Sequence, residues 1–122
     1  MRTARPLAVL VATSSMLLCS PANADLSIAA FQRMARGTEM ERFGIEMYVG
    51  GVVKGYLNAN GFQGAVKQPP LFCYPGDLTT GGALKLAKQV ATERLKAHPD
   101  DVNQEIMEGL LLMKLRELYP CK

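Results

Sequence analysis

Two cysteines, Cys73 and Cys121, constrain this chain more than any other feature, because the third, Cys19, lies in a stretch that reads as a removable export leader. Arg2 and Arg5 give the charged start, Leu7 to Leu18 the apolar run, and Ala22-Asn23-Ala24 a small-residue cleavage site. Residues 1–24 are therefore expected to be a signal peptide cleaved after Ala24, with 25–122 the single exported domain. The apolar run is about 12 residues long, against roughly 20 for a helix that crosses a bilayer, so no stable membrane insertion is expected after cleavage. Leu18 is not the small residue that lipidation of Cys19 would need.

Export to the periplasm leaves an even pair of cysteines in an oxidising compartment, where a bridge is the expectation. Cys73 and Cys121 lie 48 positions apart. Closing a loop of that length stabilises a chain by about 4 kcal/mol in the chain-entropy account. For one modest core, that is a large share of total stability.

Charge excludes one class of partner. Of the 14 lysines and arginines, Arg2 and Arg5 belong to the leader, so the exported part is nearly balanced against 11 acidic residues. No basic footprint for nucleic acid remains.

Helical periodicity dominates the exported part, and no convincing strand pattern interrupts it. Asp25 or Ser27 is placed to cap a first helix carrying Ile28 and Phe31, which Gly37 stops. Thr38 and Glu41 form a capping-box pattern for a second helix expected to run to about Ala59, with Asn60 and Gly61 as its exit. On it, Met40, Phe43, Met47 and Leu57 accompany Gly44, Gly51 and Gly55, whose spacing puts them on one face; small residues there predict close approach of another helix.

From Gly61 to Thr80 the prolines and glycines predict a loop, pinned at Cys73 and flanked by Phe72 and Tyr74, with a turn at Pro75-Gly76-Asp77. Thr79 or Thr80 caps a third helix with Leu84, Ala87, Val90, Ala91 and Leu95 inward. His98 and Pro99 end it, and Asp100 and Asp101 are expected to begin a fourth, ended by Pro120. The run Leu110 to Met113 is apolar around most of that helix, which predicts burial between layers or in a homodimer. The fold class is thus all-α, a small bundle of about four helices closed by one disulfide.

Catalytic chemistry has little to stand on. His98 sits in a helix-ending junction, Cys73 is committed to the bridge, and Gly50-Gly51-Val52-Val53-Lys54-Gly55 lacks phosphate-loop spacing. No catalytic residue, metal site or cofactor is expected.

The order Tyr48-Val49-Gly50-Gly51-Val52, then Phe72-Cys73-Tyr74-Pro75 with Leu78-Thr79, then His98-Pro99-Asp100, then Leu118-Tyr119-Pro120-Cys121 resembles the Rap/Tai family of type VI secretion immunity proteins. The resemblance implies a periplasmic, all-helical, often homodimeric protein that neutralises a peptidoglycan-cleaving amidase effector by binding it. Carried over by position, Cys73 and Cys121 would be the family disulfide, and Tyr48, Gly51, Pro75, Thr79, His98 and Pro99 its structural signature. Ile45, Glu46 and Met47 stand where many members have a cysteine and a glycine, so a second disulfide is absent. Gly82 stands where a glutamine is common.

The segment Pro69 to Thr80 is the expected contact surface, with Phe72, Tyr74 and Asp77 as candidate anchors; aromatic residues there suit a binding hot spot and a core lid equally. The alternative functions are a small periplasmic chaperone of the acid-stress type, and another protein-binding module of the envelope.

Overall fold

The structure, a computed structural model, describes residues 25–76 and 78–122; the expected leader and Asp77 lie outside the described residues. Four helices make up an all-α bundle: α1 (Ile28–Ala35), α2 (Glu39–Ala65), α3 (Thr80–Ala97) and α4 (Met107–Leu118). Helix α2 makes its most extensive contact with α3, α1 touches both, and α4 packs against α3 and α2.

Local signals decide where α1 and α2 begin. The Ser27 hydroxyl accepts the Ala30 N–H at 3.1 Å, which satisfies one orphan donor of α1. At the start of α2 the Thr38 hydroxyl accepts the Glu41 N–H at 3.2 Å, while the Glu41 carboxylate accepts the Thr38 N–H at 2.7 Å. The bond from the Thr38 backbone holds the Glu41 carboxyl below its usual range. Gly37 leaves room for that carboxylate, with which a β-carbon at position 37 would collide.

The buried face of α2 is not the expected one. Ile45, Val49 and Val53, four residues apart, point into the core, whereas Met40, Phe43 and Met47 are 77%, 59% and 55% exposed. Gly44, Gly51 and Gly55 face open space, so among the described residues no helix approaches them. The close approach falls at Gly50, where a β-carbon would lie 2.7 Å from the Thr80 methyl at the start of α3. The helix also passes unbroken through Asn60 and Gly61 to Ala65. It ends in a Schellman arrangement: the Lys67 N–H bonds Gly64 O at 3.2 Å and the Gln68 N–H bonds Gln63 O at 2.8 Å. Lys67 holds the left-handed conformation (φ 57°) that glycine usually supplies there.

The fourth helix starts later than the two aspartates suggest. Residues 101–104 form a turn, with the Gln104 and Glu105 N–H groups bonded to Asp101 O. The chain then runs extended to a single antiparallel bridge between Ile106 and Ser27. The reason lies at α1: the Ile28 N–H bonds Glu105 O at 3.2 Å and the Ala29 N–H bonds Val102 O at 3.0 Å. Those are orphan donors of α1, and the segment expected to be the first turn of α4 serves as their cap instead. Arg94 on α3 pairs with Glu105 through Nε and Nη2, its Nε 2.9 Å from Oε2, and holds the segment in place.

The core is one cluster. Ile28 and Phe31 of α1 meet Ile45, Val49 and Val53 of α2, then Ala83, Ala87, Val90 and Ala91 of α3, then Met107, Leu111 and Leu115 of α4. Leu84 of the expected α3 stripe is only half-buried; Ala83 and Leu86 take the inner positions. Among the described residues no helix is long and apolar enough to cross a membrane.

Candidate functional site

Residues 66–79 join α2 to α3, and the described part of this stretch is tied at Leu71, Phe72, Cys73, Tyr74 and Thr79. Cys73 and Cys121 are bonded, their Cα atoms 5.0 Å apart, and the Cys73 N–H also bonds Tyr119 O at 2.8 Å. Asn60, on the last turns of α2, reads the loop twice: its Oδ1 accepts the Leu71 N–H at 2.7 Å and its Nδ2 donates to Phe72 O at 2.8 Å. Tyr74 meets Tyr119 edge to face, ring centres 4.6 Å apart. At the far end the Thr79 hydroxyl accepts the Gly82 N–H at 3.1 Å and caps α3.

These ties sort the expected anchors. Phe72 is 1% exposed and belongs to the core, so it is the lid of the bundle and not a contact for a partner. Tyr74 is half-buried, with one edge committed to Tyr119. Asp77 lies outside the described residues. Pro69, Pro70, Pro75 and Gly76 are exposed and form the outward side of the loop.

The other signature positions are scattered. Thr79 is a helix cap; His98 and Pro99 are exposed at the end of α3, with His98 Nδ1 3.9 Å from Asp101 Oδ2. Gly51 faces open space on α2. Tyr48 joins a polar centre that periodicity did not suggest. Its hydroxyl donates to the Glu108 carboxylate, the Tyr56 hydroxyl donates to Glu108 O at 2.6 Å, and the Leu26 N–H bonds Glu108 Oε1 at 3.2 Å. Burial, then the bond to Glu108, raises the Tyr48 pKa well above the ordinary tyrosine value; burial raises that of Tyr56 as well. The cluster joins α2, α4 and the entry to α1.

No family model, curated protein or solved structure matches this chain. The functional reading therefore rests on the residues themselves. Among the described residues, no three His, Cys, Asp or Glu side chains converge as a metal site requires.

The sequence did not point to the roles of Asn60, Tyr56, Glu108 and Tyr119 seen here. Asn60 followed by glycine reads as a helix exit, and its real partners lie 11 and 12 residues away across a loop. Glu108 reads as one more solvated carboxylate, because its partners come from two other elements.

Proposed function

We propose that this chain is a periplasmic immunity protein of the Rap/Tai kind, which binds a peptidoglycan amidase effector of a type VI secretion system and occludes its active-site groove. The observation that supports this best is the segment Leu71 to Cys73 of the connection between α2 and α3, which is held by the disulfide, by Asn60 and by Tyr119 before any partner arrives. A loop so held loses little conformational entropy on docking, and its outward prolines are already restricted. Occlusion asks only for shape and stiffness from the inhibitor.

The bridged cysteines suit an oxidising compartment, in keeping with an exported domain. With Phe72 committed to the core, the docking edge is assigned to Pro69, Pro70, Pro75, Gly76 and the free side of Tyr74.

The test is protection. Cells producing a cell-wall amidase effector in the periplasm should survive when this chain is co-produced with its leader and lyse when the leader is deleted. The purified oxidised protein should inhibit the amidase stoichiometrically, and Tyr74→Ala or Pro75→Arg should weaken inhibition without lowering the melting temperature. Lysis regardless of the leader, across the amidases encoded by the same and neighbouring strains, would overturn the reading.

A further inference from the structure

The entry to the bundle is fixed one residue after the expected cleavage point. Leu26 packs against the core, its carbonyl accepts the Met107 N–H at 2.8 Å, and Ser27 bridges Ile106. The Leu26 N–H is shared by both oxygens of the Glu108 carboxylate, at 3.2 and 3.4 Å. Asp25 is therefore held at a set place beside the first turn of α4.

Glu108 is half-buried there, in acidic surroundings. After burial and the bond to Glu108, the charges of Glu108 and Asp25 and the nearby Tyr56 raise the Tyr48 pKa further. Glu93, Glu105 and Glu117 each have a cation within reach, whereas among the described residues no lysine, arginine or histidine pairs with Glu108. A half-buried carboxylate bonded to neutral donors is poorly compensated, and a positive charge beside it would be stabilising.

We infer that cleavage after Ala24 creates a structural ion pair, in which the new α-ammonium group of Asp25 docks on the Glu108 carboxylate and locks the start of the chain to α4. Covalent geometry sets the Asp25 nitrogen no more than about 4 Å from the Leu26 nitrogen, hence within about 7 Å of the carboxylate. Rotation about a single Asp25 torsion brings it closer. Before cleavage that nitrogen is a neutral amide; afterwards it is a protonated amine at neutral pH.

The pair gives the leader junction a part in the fold. In the precursor Glu108 lacks this cation, just as Cys73 and Cys121 lack their bridge until they reach an oxidising compartment. Both ties are thus completed only after export. The bridge fastens the tail to the connection between α2 and α3, and the ammonium fastens the entry to α4. Asp25 is exposed, so the pair is partly screened and its effect is modest.

This inference rests on the cleavage expected from the sequence and is independent of the amidase reading. Its test starts from protein purified from the periplasm with its own leader, whose mass should show Asp25 as the first residue. Selective acetylation of the α-amino group removes its charge and should lower the melting temperature by about 4 °C. In Glu108→Gln, which keeps an acceptor for Leu26 and Tyr48, the same acetylation should shift it by less than about 1 °C. The titratable groups facing the amine are Glu108 from α4, Tyr48 and Tyr56 from α2 and the Asp25 side chain, all acidic. The amine should therefore hold its proton to higher pH than an ordinary chain terminus, and return toward ordinary behaviour in Glu108→Gln. A first residue other than Asp25 would overturn the proposal. So would an acetylation effect of equal size in both proteins, zero included, or an α-amino group that titrates alike in both.

Discussion

Asn60→Ala separates two accounts of the same residue by sign. Were Asn60 merely an exposed helical residue, alanine would be the better helix former and would stabilise the protein by about 0.6 kcal/mol. In the structure its amide instead satisfies Leu71 N–H and Phe72 O, beside a phenylalanine that is 1% exposed. Truncation strands both backbone groups, at about 1–3 kcal/mol for each one kept from water. The site is only partly buried, so the lower part of that range applies and the expected loss is about 2–3 kcal/mol after the propensity gain. At about 4–8 °C per kcal/mol for a domain of this size, the melting temperature should fall by about 10–20 °C. Asn60→Asp should be at least as damaging: it keeps an acceptor for Leu71 but turns a second oxygen toward Phe72 O. Thermal and urea unfolding of the oxidised protein read the effect directly, and amide exchange at Leu71 should accelerate in the alanine variant. An unchanged or raised melting temperature for Asn60→Ala would refute the clamp.

Lys67→Gly should stabilise the protein by about 1 kcal/mol, because a side chain is removed from a left-handed position (φ 57°) that glycine adopts freely; chemical denaturation checks it, and a loss of stability would contradict the Schellman ending of α2. Replacing Cys73 and Cys121 together by serine should cost up to about 4 kcal/mol through the 48-residue separation of the bridge, measured as a fall in the urea midpoint. Tyr48 and Tyr56 have folded pKa values above the unfolded value near 10, so their contribution is fully present below about pH 10 and is lost as the pH rises beyond it. Tyr48→Phe should flatten that alkaline decline while lowering neutral stability by about 1 kcal/mol through the lost bond to Glu108. Denaturation curves from pH 8 to 12 would show the change of slope.

What could be read directly from the residues was whatever depends on near neighbours. The capping box of Thr38 and Glu41, the caps of Ser27 and Thr79, and the stops at Gly37, His98 and Pro120 are interactions over three or four positions, and the structure has them all at or beside the expected residue. The start of α4 and the end of α2 went astray for the opposite reason. Val102 and Glu105 are drawn out of a helix by the unsatisfied donors of α1, more than 70 residues earlier in the chain, and α2 is carried past Gly61 by loop contacts made through Asn60. The candidate site divides along the same line. That Cys73 pins the loop was legible from an even cysteine count; that Phe72 is a lid and Tyr74 a rim residue depends on where Tyr119 and Asn60 lie.

The residue order alone determined that this chain is helical, that it has one core, and that its two domain cysteines belong together, because periodicity, capping and cysteine parity are properties of short stretches or of counting. Only the tertiary structure decided which stripe of α2 is inside. A 27-residue helix with apolar residues on two faces offers two possible interiors, and the choice falls to Ile45, Val49 and Val53 because they mesh with the alanines of α3 at the close approach of Gly50 and Thr80. The other face, with Met47 and Gly51 at its middle, is left outside the chain's own core.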